Sequence, residues 1–183
     1  MIVAGVLLRL VPHIPNFAPI TGMALFGGAY LNKRWAIIIP FLSMIISDYL
    51  LLYVNPYSPS FVDFSRIYPI QAMFHSTTLY VYGSFIISGL IGIWLRERKK
   101  PEFILGASLI ASFQFFLITN FGVWAGGMYS RGLDGLIQSY IMGLPFLRGT
   151  LTGDLFYTGM FFGAYEMVYK IVNCRYLFLF RKN

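Results

Sequence analysis

Four stretches of the chain, residues 35–54, 79–95, 103–121 and 150–172, run almost without interruption in apolar side chains. An α-helix rises about 1.5 Å per residue, so roughly 20 apolar residues traverse about 30 Å of hydrocarbon. All four stretches reach or approach that length. Two shorter apolar stretches, residues 1–11 and 18–31, flank the proline-rich break PHIPN. Each of these crosses a bilayer only by tilting, by thinning it, or with further residues upstream. The pattern predicts an all-α membrane protein, one integral domain over residues 1–183, with six transmembrane helices of which the first two are short. Buried strands or core helices of a large soluble protein produce similar runs. Basic clusters at every second connection favour the membrane, and a barrel would need short alternating segments instead.

With six crossings and the N-terminus inside, the inner connections hold Lys33, Arg34, Arg96, Arg98, Lys99, Lys100, Lys170, Arg175, Arg181 and Lys182, and the outer ones hold Arg9, Arg66, Arg131 and Arg148, ten against four. This positive-inside bias places both termini in the cytoplasm. The opening MIVAGVLLRLVPH lacks a basic leader and a small-residue cleavage site, so it is expected to be a retained first helix rather than a signal peptide. Two outer stretches, residues 53–78 and 122–149, are long for a compact bundle. The second contains GLIQSYIMGLPF, an apolar segment closed by a proline, which predicts a short interfacial or re-entrant helix in the last outer loop.

Composition supports the same class: 57% of residues are hydrophobic, 11% charged and 19% aromatic, far from the roughly 25% charged residues of a soluble domain. Many aromatic side chains fall at the ends of apolar runs, where the headgroup layer favours them. The net charge of +7 would suggest nucleic acid in a soluble chain, but its placement between crossings points to lipid. A single cysteine, Cys174, excludes an internal disulfide and a cysteine-built metal centre. Neither GxxxxGK[ST], HExxH nor GxSxG occurs, and no two histidines are spaced to hold a metal, so the signatures of soluble enzymes and of a histidine-built metal pair are missing.

Charged residues inside a bilayer cost roughly 2.5–3.5 kcal/mol each on insertion scales, so those that remain need a reason. Asp48 lies in the outer half of the third predicted helix, Asp154 near the outer end of the sixth, and Asn120 at the outer end of the fifth. The turn RLVPHIPNFAP brings Arg9, His13 and Asn16 to the same level, just before the start of the second helix with its free backbone N–H groups. Opposite, TNFGVWAGGMY offers Asn120, Trp124 and Tyr129 between glycines. Together Arg9, His13, Asn16, Asp48, Asn120, Trp124, Tyr129 and Asp154 form a candidate solute-binding set, with Arg9 and His13 at the outer mouth and the two aspartates deeper. An asymmetric solute, acidic or polar outward and basic inward, would suit that order.

Plainer roles compete for the same residues. Asp48 or Asp154 can pair with Arg9 or Arg148 to neutralise a buried charge. His13 can hold the shape of its proline-rich turn, and Trp124 and Tyr129 can serve as interface anchors. Glu166 is expected to pair with Lys170 one turn later. Ser84, Ser88 and Gly92, Ala107 and Ala111, and Gly159 and Gly163 recur at helix-packing spacing, which lets helices approach closely in lipid.

The segments RLVPHIPNFAPITGMALFGGAYL, SDYL, TNFGVWAGGMY and LPFLRGTLTGDLFYTGMFFGAYE resemble an uncharacterised bacterial family of six-helix membrane transport proteins, itself similar to the substrate-binding S components of energy-coupling factor (ECF) transporters. That resemblance implies an S-component-like bundle in the bacterial inner membrane that captures a micronutrient or cofactor precursor at its outer face. It also implies partners: membrane lipid, the small-molecule solute, a transmembrane coupling subunit and ATPases, with no nucleic acid and no cofactor. The first helix holds Ala4 and Gly5 but nothing at the Ala-x-x-x-Ala spacing by which many S components meet the coupling subunit. Two other classes remain open. One is a structural or assembly subunit of a membrane complex; the other is an intramembrane enzyme acting on lipid, for which Asp48 with His13 is the available acid–base pair.

Overall fold

The computed structural model describes residues 1–11, 14–56 and 62–180, with side chains through residue 173. Among these residues the chain is helical: α1 Ile2–Leu10, α2 Ile20–Tyr30, α3 Lys33–Leu50, α4 Thr78–Trp94, α5 Pro101–Ala125 and α6 Leu133–Phe180, with 3-10 turns at Ile70–Met73 and Leu95–Glu97. The only extended pairing among them is a single antiparallel bridge between Val54 and Val62. The first two helices are short, at 9 and 11 residues. Among the described residues two stretches are long and apolar enough to cross a membrane: α4 continued through its 3-10 end, Thr78–Glu97, and α5, Pro101–Ala125.

The short α2 is the hub of the bundle. It packs against α3, α4, α5 and α6 and buries every residue except Phe26 and Tyr30. Glycine makes the approach possible: a Cβ on Gly92 would stand 2.5 Å from the Leu25 carbonyl oxygen, and one on Gly28 would strike the backbone of Gly92 and Ile93. At its C-terminal end α2 is capped from α4. Arg96 donates from Nε to the Gly28 carbonyl at 2.8 Å and from Nη2 to the Leu31 carbonyl, satisfying acceptors that a helix end leaves open. At about 16 Å, α2 is too short to span hydrocarbon, but a helix enclosed by others has no need to.

The interior mixes apolar side chains, Ile20, Met23, Leu25, Leu95 and Phe162 among them, with an unusual number of small polar ones. Ser43, Ser47, Ser84, Ser88, Ser108, Ser112, Ala107 and Ala111 lie buried between helices. Large apolar side chains point away from the bundle on five of the six helices, among them Leu7, Ile46, Leu90, Leu117 and Met167. Small polar residues in the middle let backbones close up, and several of their hydroxyls find acceptors in their own helices. Ser47 donates to Ser43 O at 2.6 Å, and Ser88 to Ser84 O at 3.0 Å.

Three expectations are corrected. The interfacial helix is not separate: residues 135–146 form the first turns of α6, which runs unbroken for 48 residues through Pro145. Proline removes one helix bond, but the preceding turns are docked along α5, with Ser139 Oγ donating to Asn120 O at 2.7 Å and the Tyr140 hydroxyl to Leu117 O at 2.9 Å. Gly159 and Gly163 do not pack a neighbouring helix, since a Cβ on either would meet open space. Glu166 does not pair with Lys170 and instead accepts from the Tyr30 hydroxyl at 3.1 Å.

The stretch after α3 carries structure of its own, as its length suggested. The Tyr53 hydroxyl accepts from Tyr68 N at 3.1 Å, and the Asp63 side chain accepts from Ser65 N at 2.8 Å. Hydrogen bonding from Ser65 holds the Asp63 carboxyl below its ordinary range.

Candidate functional site

The α1–α2 turn, the last turns of α3, the start of α4 and the middle of α5 and α6 surround a cavity of about 230 Å³. Arg9, Asn16, Asp48, His75, Tyr82 and Asp154 supply its principal polar walls, and Ile20, Met44, Val81, Phe85 and Phe115 its apolar ones. Asn16 reaches it from a left-handed backbone position, φ 63°, which asparagine tolerates better than most residues. The turn is closed by Phe17 N bonding Ile14 O at 2.9 Å. It delivers the start of α2, with Ala18, Ile20 and Thr21, to the cavity wall.

Arg9 and Asp48 do not stand at opposite ends of the site. Arg9 Nη1 donates to Asp48 Oδ1 at 2.7 Å, and it also bonds Ser47 Oγ. The other carboxylate oxygen, Oδ2, accepts from the Tyr82 hydroxyl at 2.7 Å. The two charges neutralise each other, as the plainer reading of Asp48 held, yet both remain on the cavity surface with unused capacity. A guanidinium carries five N–H donors and a carboxylate about four lone-pair sites, so the pair can bind a solute without separating.

Asp154 sits deeper and has a different environment. It is 2% exposed and accepts from Ser112 Oγ at 2.6 Å, and Thr21 lines the same cavity. Among the described residues it has no ion-pair partner. Arg148, an expected partner, instead lends its carbonyl to Thr152 at 2.7 Å.

The remaining candidates lie elsewhere. Asn120 and Tyr129 line a second cavity of about 290 Å³, together with Thr119, Met128, Met142 and Phe146. Asn16, Val81 and Phe115 border both cavities, so the two spaces adjoin. Asn120 does not close α5: the helix continues to Ala125, and the Asn120 amide donates to Phe116 O at 2.8 Å. Trp124 borders neither cavity; its ring packs on Phe121 and its buried Nε1 has no partner. His13 lies outside the described residues. The residues that the sequence reading missed are Tyr82, His75 and Thr21. For Tyr82 a signal existed, a phenol inside an apolar helix whose hydroxyl needs a partner. Among the described residues no three His, Cys, Asp or Glu side chains gather as a multivalent metal site would require.

The model of one protein family, described as a family of unknown function (DUF6580), matches residues 1–175. Nothing among the curated proteins and nothing among the solved structures matches the chain.

Proposed function

The chain belongs to DUF6580, and from that premise we propose that it is a multi-pass protein of the cell membrane, with both termini in the cytoplasm, that captures a small solute at its outer face as a transport component. The cavity bounded by the Arg9–Asp48–Tyr82 cluster is the observation that carries the reading. Membrane embedding draws support from the large apolar side chains exposed on five of the six helices. An exposed apolar surface of this extent would be an association hazard in water, where monomers rarely show patches above a few hundred Å². The ten-to-four distribution of basic residues puts the cavity, at the α1–α2 turn, on the outer side.

Because Arg9 and Asp48 are paired, the solute suited to this cavity is polar and close to neutral around them rather than strongly dipolar, with an apolar part against Val81, Phe85 and Phe115. A volume below the roughly 300–1,000 Å³ of drug-sized pockets fits a metabolite of micronutrient size. The absence of a phosphate-binding loop leaves energy to a partner, which in the S-component-like arrangement is a coupling subunit with ATPases. A second reading, assembly within a larger membrane complex, is favoured by the exposed inner part of α6, residues 163–173.

Purification of the intact protein from its own membranes without crosslinking, followed by mass spectrometry of small molecules and partner chains, tests the proposal. We expect one small molecule to be recovered with the wild type and lost from Val81→Trp, which fills the border between the two cavities. Equal recovery from both proteins, or partner chains with no small molecule, would reject solute capture.

A further inference from the structure

Many buried hydroxyls in this bundle turn back to the carbonyl one turn earlier. Ser43, Ser47, Ser84, Ser88 and Thr150 bond the carbonyls of Ile39, Ser43, Tyr80, Ser84 and Phe146 in this way, at 2.6–3.1 Å, and Ser139 instead bonds Asn120 O on α5. Ser108 and Thr158 do neither. They are 1% and 2% exposed, and neither hydroxyl oxygen has a hydrogen-bond partner. Buried polar atoms left in that condition are rare and call for an explanation.

Both lie beside Asp154. Ser108 is one turn from Ser112 on α5, and Thr158 is one turn from Asp154 on α6. The two helices run antiparallel, since the contact of Ser139 with Asn120 and that of Ser112 with Asp154 follow opposite orders along the chain. The register that joins Ser112 to Asp154 therefore sets Ser108 across from Thr158, one turn inward. Gly22 of α2 closes the same place: a Cβ there would stand 3.0 Å from Thr158 N.

Asp154 is buried with no cationic side chain in an ion pair among the described residues. An uncompensated carboxylate in such a place is strongly disfavoured, so a positive charge accompanies it. A proton would neutralise Asp154 and leave Ser108 and Thr158 as they are. A small cation can take a lone pair from all three oxygens, the two hydroxyl protons turning to carbonyls of their own helices: oxygens sharing such an ion stand up to about 5 Å apart, comparable to the roughly 5.4 Å of a helical turn. We propose that Asp154, Ser112, Thr158 and Ser108, with Thr21 of α2, form a site for a monovalent cation of the sodium class. Every donor is a hard oxygen, and the one carboxylate matches a single positive charge rather than a divalent ion. Asp154 also lines the outer cavity, so the ion would form part of its floor. The site itself rests on the packing of α2, α5 and α6 and needs no solute.

The test uses the full chain, purified in detergent without added solute, and reads the melting temperature and ²²Na⁺ binding in NaCl, KCl and choline chloride at equal ionic strength. Sodium is expected to raise the melting temperature saturably, with choline inert. Asp154→Asn should abolish the response, while Ser108→Ala and Thr158→Val should each weaken the apparent sodium affinity by roughly tenfold or more. The proposal is overturned by an equal response to choline, or by a sodium response unchanged in the Ser108→Ala/Thr158→Val double variant. That double variant decides the matter even if Asp154→Asn does not fold. Stabilisation by acid in place of sodium, lost in Asp154→Asn, would identify a proton as the partner of Asp154 and equally overturn it. Since no solute is present, failure of solute capture leaves this result standing.

Discussion

Arg9 shows how one side chain joins three helices. It leaves the last turn of α1, bonds Ser47 and Asp48 on α3, and through Asp48 is linked to Tyr82 on α4. Removing either charge strands the other in a largely enclosed place, whereas removing both does not. Arg9→Gln and Asp48→Asn are each expected to lower thermal stability while retaining the fold, and to weaken solute capture by about tenfold, the value of one charge-assisted contact. The double variant should recover stability but not capture, measured by melting and by recovery of the bound molecule. Recovery of both would reduce the pair to a structural one. Arg9, Asp48 and Asp154 were legible in the sequence because charge inside an apolar run is conspicuous. Asn120 was misplaced because depth alone was read: it lies two turns beyond Ser112 on α5, about 12 Å farther along the axis and rotated away from it. Tyr82 was passed over because aromatic rings were assigned to the headgroup layer, while its hydroxyl is engaged inside the bundle.

Between helices, close approach decides packing, and glycines differ according to what faces them. Gly92 of α4 meets the α2 backbone at Ala24 and Leu25, whereas Gly106 of α5 and Gly83 of α4 face open space. Gly92→Ala is expected to destabilise the bundle by about 1–3 kcal/mol, because rigid backbone must move, and Gly106→Ala to stabilise it by up to about 1 kcal/mol through helix propensity. Melting of the two variants in one detergent checks the contrast; equal shifts would mean that α2 and α4 are not in contact. Spacing alone shows which residues are small, not which are faced. Hence Ser84, Ser88, Ala107 and Ala111 are buried as the sequence pattern suggested, while Gly159 and Gly163 are not. Pro145 misled in a related way. A proline was taken as a stop, but its turn is held from outside by Ser139 and Tyr140 docking on α5, so the helix survives the missing bond.

At the scale of the whole molecule the order of apolar stretches foretold the six α-helices found among the described residues, because apolar runs of this length between breaks suit a helix rather than a strand. What it did not foretell is the extent of α6, which at 48 residues is about 72 Å long and outruns its partner α5. The proposed orientation is checked by single cysteines at Lys99 and Ser130 in a Cys174→Ser background. Impermeant maleimide should label Ser130→Cys in intact cells and Lys99→Cys only after permeabilisation; labelling of both from outside would end the six-crossing topology. The serine- and glycine-lined helix interfaces also set how such a bundle responds to temperature. In the bilayer proposed for this chain, parting the helices would exchange protein neighbours for lipid and hydrate little hydrocarbon. The heat-capacity increment of unfolding, which arises mainly from newly hydrated apolar surface, is then small. In that setting stability would fall along a nearly straight line as temperature rises instead of following a dome, and cooling would not loosen the fold.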